Sequence, residues 1–260
     1  MFHLVATKDP SSPNISKIET NKRHIECKQA SHRMQLSLDQ CAYWDSVAET
    51  KTFTHAIDWN GLQSLVPNKK DAKILDFGCG YDRLTADIHN HGYENVVGID
   101  SSLQMIQRAT REFPNLKFAR VNAPKKLPFE DNHFDLICLF AVLTAIPRTT
   151  DQKALVAELK RVLKHDSGLI YISYCLLNQD ERNVARYNHQ EHSNDNDNND
   201  RPYGVFELAG EGALLRHHDI NYIQKELLEG WNTKHVNVFT VTTMNGNQSN
   251  AFQIVAQKAT

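Results

Sequence analysis

The apolar run Ile74-Leu75-Asp76-Phe77 ends in Gly78-Cys79-Gly80, and that junction constrains the fold more than any other stretch of the chain. A short apolar run closed by glycines reads as a buried strand that turns tightly into a loop. Gly78 and Gly80 lack a Cβ, so they reach positive φ and let backbone N–H groups approach a ligand more closely than side chains permit. Asp76 then lies at the strand's carboxyl end, where open α/β sheets bind ligands. A dinucleotide fingerprint would run on to a third glycine as G-x-G-x-x-G. Counting from Gly78, that position is Arg83, which weakens a nicotinamide or flavin reading.

Strands and helices alternate after this point. Lys73 to Phe77 is the first strand, followed by a helix with Leu84 and Ile88 inward that stops at Gly92, and by a Val-rich strand from Asn95 to Ile99. Ser101-Ser102-Leu103-Gln104 has the Ser-x-x-Gln form of a capping box, with Leu103, Ile106 and Ala109 at helical spacing behind it. Leu116 to Ala119 and Phe134 to Leu139 read as strands three and four. Leu155, Leu159, Val162 and Leu163 mark an amphipathic helix that turns at Asp166-Ser167-Gly168 into a strand from Leu169 to Tyr174. Asp219 can cap a helix through Ile220, Ile223, Leu227 and Leu228. Val236 to Thr242 and Ala251 to Ala256, joined through Asn245-Gly246, read as a terminal hairpin. The pattern implies an α/β fold: a doubly wound, mostly parallel seven-stranded sheet with a C-terminal antiparallel hairpin.

The flanking regions differ in character. Residues 1–35 are polar, with Pro10, Ser11, Ser12 and Pro13 and the basic tract Lys22-Arg23-His24, and read as a flexible arm. From Leu38 to Val66 the pattern turns helical, with Tyr43, Trp44, Val47 and Ala48 on one face. The Asn/Asp stretch at about 190–201 is too polar to pack and reads as a flexible insertion.

With 260 residues and 40% hydrophobic content, one domain over residues 36–260 can bury a sufficient core. A formal net charge of −2 offers no long-range attraction to phosphate backbones or anionic lipid, which disfavours nucleic acid and membrane partners. Cys27, Cys41, Cys79, Cys138 and Cys175 are odd in number and lack C-x-x-C spacing, so neither a disulfide framework nor a zinc ribbon is expected. No run approaches the length of a membrane span, and Met1-Phe2-His3-Leu4-Val5 lacks the basic-then-apolar order of a signal peptide. The chain reads as cytoplasmic, and no metal is expected.

Twenty residues beyond Gly80, the strand Val96-Val97-Gly98-Ile99 ends in Asp100. A carboxylate there can accept hydrogen bonds from both ribose hydroxyls of a nucleoside. Together, Asp76-x-Gly78-x-Gly80 and Asp100 resemble the first motifs of the class I S-adenosylmethionine-dependent methyltransferases of the methyltransferase type 11-like kind. The segment from Asn122-Ala123 through Leu127-Pro128-Phe129 to Phe134-Asp135-Leu136 resembles that family's adenine-side loop and the landmarks behind it.

This resemblance implies S-adenosylmethionine as cofactor, with S-adenosylhomocysteine as product. The cofactor site it implies comprises Asp76, Gly78, Cys79, Gly80, Asp100, Ser101, Asn122, Ala123, Phe140 and Tyr43, with residues 36–70 as a helical lid. The sequence departs from the family pattern at Asn122, where an Asp is usual, and at Asp82, where a glycine is common. Asn122 keeps a carbonyl acceptor, and Asp82 reads as a helix cap or first-turn charge.

The activity implied is methyl transfer to an oxygen, nitrogen or carbon atom of a small-molecule acceptor. Alternatives are an RNA or protein methyltransferase, suggested by the basic arm, and a catalytically silent binding module, suggested by Asp82 and Asn122. A general base is needed only for a protonated acceptor. His217 and His218 are the candidates, beside His55; adjacent residues of an extended segment face opposite ways, so at most one of the pair points into a pocket. The more conservative reading has both exposed or hydrogen-bonded beside Asp219.

Overall fold

The computed structural model describes residues 40–52, 56–66, 68–121, 126–188, 202–208, 210–242 and 246–259. The expected arm, the Asn/Asp insertion, Asn122, Ala123 and His55 lie outside them. Helices α1 (residues 40–47) and α2 (Trp59–Gln63) precede the sheet. The alternating part runs β1 (Lys73–Phe77), α3 (Arg83–Asn90), β2 (Asn95–Asp100), α4 (Leu103–Glu112), β3 (Lys117–Arg120), β4 (Leu136–Phe140), α5 (Thr149–Val162) and β5 (Leu169–Cys175). After it come α6 (Glu181–Asn188), a short hairpin of β6 (Val205–Glu207) and β7 (Leu214–Arg216), a π-helical turn at Tyr222–Leu227, and the long strands β8 (Trp231–Thr242) and β9 (Gln248–Lys258).

Seven strands form one sheet in the order β3-β2-β1-β4-β5-β9-β8. The first five are parallel, and β9 joins β5 antiparallel before pairing with β8. Period-two alternation divides the strand residues between the two faces. Leu75, Ile137, Leu139, Ile170 and Ile172 pack on one face with Leu159, Val162 and Leu163 of the α5 region and with Ile223 and Leu227 of the π turn. Ile74, Val96, Leu136, Cys138 and Tyr171 pack on the other with Leu84 and Ile88 of α3 and Leu62 of α2. Burial on both faces explains why these strands are continuously apolar rather than alternating with polar residues.

Gly98 in the middle of β2 has a packing reason. A Cβ there would lie 2.9 Å from both Thr85 Oγ1 and the Phe118 ring, so the glycine lets α3 settle onto the sheet. The strand order reverses between β1 and β4, which opens a crevice beyond their carboxyl ends.

Three local expectations are corrected. The cap of α4 is Ser102, not Ser101: its hydroxyl accepts from the Met105 N–H at 3.1 Å. The Gln104 N–H is satisfied instead by Asp45 of α1 at 3.0 Å, which also accepts from Ser102 Oγ at 2.5 Å. The segment after Asp219 forms a π-helical turn over Tyr222–Leu227 with Ile223 and Leu227 buried. The terminal strands extend well beyond the expected ranges, and α6 and the β6–β7 hairpin had no forecast.

Candidate functional site

The loop after β1 is shaped by two positive-φ glycines, Gly78 at 73° and Gly80 at 59°. The Gly78 and Cys79 N–H groups donate to the Ile99 carbonyl at 2.7 and 3.0 Å, which pins the loop against the end of β2. A Cβ on Gly78 would sit 2.5 Å from Val142 Cγ2. The segment just after β4 therefore comes so close to the loop that only glycine fits.

Asp100 ends β2, and its carboxylate is held from two sides. Gly80 N–H donates to Oδ2 at 2.9 Å and Ser102 N–H to Oδ1 at 2.8 Å. Burial raises its pKa, and those N–H groups oppose the rise. Each oxygen keeps acceptor capacity beyond the one bond it receives. Asp76 is buried and accepts from Thr85 Oγ1 at 2.8 Å; desolvation, with Asp100 nearby, pushes its carboxyl up to about 7.

These groups open onto a cavity of about 300 Å³ at the switch point. Asp76, Gly78, Cys79, Gly80, Asp100, Ser101 and Phe140 all line it, so seven of the expected cofactor residues come together. Phe140 also packs edge-on against Tyr171, with ring centroids 5.0 Å apart. It is wall and core at once. Cys79 is buried and burial drives its thiol well above the ordinary range, so its contribution is backbone shape.

Tyr43 is different. It is buried and absent from the cavity wall, where its neighbour Trp44 stands. Successive helical residues point about 100° apart, so a helix cannot turn both rings inward. The Tyr43 hydroxyl donates instead to Glu211 Oε2 at 2.6 Å, and Lys51 pairs with the same carboxylate at 2.9 Å.

Asp82 is a second correction. It occupies the N-cap position of α3 with φ 85° and makes no side-chain cap bond. Ncap side chains reach the first-turn N–H groups from the extended region, and the left-handed conformation aims this one elsewhere. It is fully buried, and desolvation, opposed in part by the nearby Thr85 hydroxyl, pushes its pKa up to about 8.

The two histidines separate as extended neighbours do. His217 lines the cavity, while His218 is buried 2.7 Å from Gln152 Nε2 and edge-on to Tyr174. Neither is exposed. Burial, aided by Arg186, lowers the pKa of His217 to about 4, and that of His218 falls well below the usual value. Tyr187 Oη lies 2.7 Å from His217 Nδ1 and accepts from the Asn178 N–H at 3.4 Å. Burial raises the phenol pKa to about 12, so Tyr187 keeps its hydrogen at neutral pH; donated to Nδ1, that hydrogen selects the Nε2–H tautomer, whereas an Nδ1–H would donate to the phenol oxygen instead.

The far wall was missed from sequence. It is built from Arg182, Asn183 and Arg186 of α6, Phe206 of β6, Leu208 and Leu215. The amphipathic spacing of α6, with Asn183 and Tyr187 buried, was the available signal. Among the described residues, no group of three or more His, Cys, Asp or Glu side chains is placed to hold a metal, and no helix is long and apolar enough to cross a membrane.

Residues 75–172 match the family described as a methyltransferase domain. Over 117 residues the chain is 32% identical to a ubiquinone/menaquinone biosynthesis C-methyltransferase of Campylobacter jejuni, covering 41% of this chain and 46% of that protein. It is 34% identical over 133 residues to the 2-methyl-6-phytyl-1,4-hydroquinone methyltransferase of a Synechocystis species, covering 48% of this chain and 39% of that protein. The matched stretch thus spans less than half the length of these curated relatives. Among solved structures, a SAM-dependent methyltransferase from Methanosarcina mazei superimposes with a TM-score of 0.63 at 23% identity, over 75% of this chain and 97% of that one. An S-adenosylmethionine-dependent methyltransferase from Mesorhizobium loti gives 0.56 at 18% identity, over 78% and 98%. The fold is that of the class I methyltransferases.

Proposed function

From a class I methyltransferase domain over residues 75–172, we propose that this chain is an enzyme that transfers a methyl group from S-adenosylmethionine to a small-molecule acceptor. The carrying observation is the Asp100 carboxylate, fixed by Gly80 and Ser102 N–H groups while lining a cavity at the strand-order reversal. The residues fit the cofactor: Asp100 has lone pairs left for two ribose hydroxyls, and Gly78 and Gly80 line the cavity beside it. Asn122 and Ala123 would complete the adenine side.

When bound, S-adenosylmethionine supplies an electrophilic methyl group on a sulfonium. The chain's own work is alignment and water exclusion. Phe140, Val142 and Met105 give the cavity apolar walls, and α1 acts as its cover, with Trp44 against the cavity and Tyr43 tied to Glu211. Two relatives are named for quinone-type chemistry, which favours a small acceptor. His217 serves as a hydrogen-bond donor toward the acceptor through Nε2–H, not as a general base. Titration calorimetry with S-adenosylhomocysteine tests the reading. Binding by the native chain that is lost in Asp100→Ala is the expected result, and absence of binding by the native chain overturns it.

A further inference from the structure

Charge is unevenly placed around the cavity. Asp76 and Asp100, with Arg83 beside them, stand at the end assigned to adenosine, whereas Arg182 and Arg186 line the α6 end. Lys51, also in the wall, is neutralised by Glu211 at 2.9 Å. Arg186 places its guanidinium carbon 5.5 Å from the centre of the Phe206 ring, and among the described residues no carboxylate pairs with it. Arg182 has only a long contact of 3.7 Å with Asp180, both groups being well exposed.

Beside them is Asn183, 2% exposed. Its backbone N–H and its Nδ2 both donate to Asp180, at 3.0 and 2.6 Å. A carboxylate only accepts, so the amide is oriented with Oδ1 on the other side. That oxygen lies in a cavity-lining residue and, among the described residues, has no partner. A buried acceptor left unsatisfied destabilises the fold, and a ligand donor would recover that cost. The neutral ring of His217 lines the same end, and Phe206, Leu208 and Leu215 supply apolar wall between.

We propose that the α6 end recognises an acceptor with a small, largely apolar body bearing an oxyanion, held by Arg186 and Arg182, with Asn183 Oδ1 taking a hydrogen bond from a hydroxyl or amine on the same molecule. This names a substrate class for the proposed methyltransferase and rests on that reading. Carboxylate and phosphate share the required chemistry.

The test titrates the full chain, with and without saturating S-adenosylhomocysteine, with benzoate, phenyl phosphate and benzamide. Preference for the anions over benzamide by at least about tenfold is expected, because hydrogen bonds to charged groups are the stronger ones. The stronger anion identifies the carboxylate or the phosphate. In the double variant Arg182→Gln/Arg186→Gln the anion preference should vanish, while affinity for S-adenosylhomocysteine and benzamide stays unchanged. Equal affinity for benzamide, anion binding unchanged in the double variant, or no binding of either anion overturns the proposal. Loss of S-adenosylhomocysteine binding by the native chain, with anion preference retained, would instead count against the cofactor assignment alone.

Discussion

Gly80 N–H and Asp100 Oδ2 are 2.9 Å apart, so the loop after β1 and the end of β2 share one carboxylate although 20 residues separate them. The same group that would meet a ribose also holds the glycine loop in place. Asp100→Ala should therefore act twice. It removes both ribose acceptors, and since hydrogen bonds to a charged group contribute about 1.5–3 kcal/mol each, S-adenosylhomocysteine affinity should fall at least about 100-fold. It also leaves the Gly80 and Ser102 N–H groups unpaired, which lowers the melting temperature without ligand. Asp100→Asn keeps one acceptor oxygen and should fall between the two. Calorimetry paired with thermal unfolding separates the effects, and an alanine variant with native affinity would remove Asp100 from the site.

Gly78 tests the close approach of the segment that follows β4. Alanine there meets Val142 Cγ2 at 2.5 Å and must also adopt a φ of 73°. The clash and the left-handed backbone are separable costs, the second about 1–2 kcal/mol. Gly78→Ala should destabilise the fold and weaken S-adenosylhomocysteine binding. Adding Val142→Ala should restore part of the loss, because it removes the clash and leaves the backbone strain. Complete rescue in thermal unfolding would show that the positive φ carries no cost.

The sheet was legible because its signals are local: apolar runs of strand length, the glycines that end them, and Asp100 placed by chain spacing. Features that depend on distant partners were not. Asp45 completes the cap of α4 from 57 residues away, and no pattern around Ser101 and Ser102 reveals it. Trp44 rather than Tyr43 faces the cavity because of the rotation of α1, which is fixed in part by Glu211, 168 residues beyond Tyr43. Helix α6 and the β6–β7 hairpin, which line the end of the cavity proposed for the acceptor, bury few apolar residues of their own and so left a faint period in the sequence. His217 and His218 could be assigned opposite directions in advance, but not which of them faced inward.

Asp82 makes stability depend on pH. Its carboxyl is pushed from an ordinary value near 3.8 up to about 8 by burial. Between those values the folded chain keeps a proton that the unfolded chain releases. The stability it confers is therefore present in full below about pH 4 and declines as pH rises through about 8, with a slope of about 1.4 kcal/mol per pH unit from this one group. Asp76, pushed up to about 7, adds the same sign. Asp82→Asn tolerates the left-handed backbone and has no proton to lose. Urea unfolding should find the variant more stable than the native chain at pH 8–9, with the gap closing toward pH 5. A constant gap across that range would contradict the buried, protonated state.

His217 and Tyr187 make a linked prediction about protonation. With a pKa of about 4, His217 stays neutral in the fold where the unfolded residue, near 6.5, would take up a proton. Its contribution to stability is present above 6.5 and is lost as pH falls toward 4. Nitrogen chemical shifts of the ring should report a single Nε2–H tautomer at pH 7. Tyr187→Phe removes the hydrogen donated to Nδ1 and should give a mixture of tautomers. Turnover of any acceptor found should show no acidic limb near pH 6.5 attributable to this group. A limb there that disappears in His217→Gln would make His217 a general base after all.

Tyr43 ties α1, the proposed cover, to Glu211, and Lys51 already satisfies the carboxylate from a second direction. Removing the phenol hydroxyl therefore leaves no charge stranded, and Tyr43→Phe keeps the edge-on contact with Trp44 at 4.9 Å. The cost to global stability should be small, about 1 kcal/mol or less, since a single hydrogen bond contributes about that much net. The local consequence should be larger. With α1 held to the 210–213 segment by one fewer tie, amide exchange in residues 40–47 should accelerate. S-Adenosylhomocysteine should also dissociate several-fold faster while its association rate changes little, because the tie acts after the ligand is seated. Stopped-flow binding and hydrogen exchange on the same variant give both numbers. Unchanged dissociation together with unchanged exchange would mean that α1 is static packing and that the cavity is entered by another route.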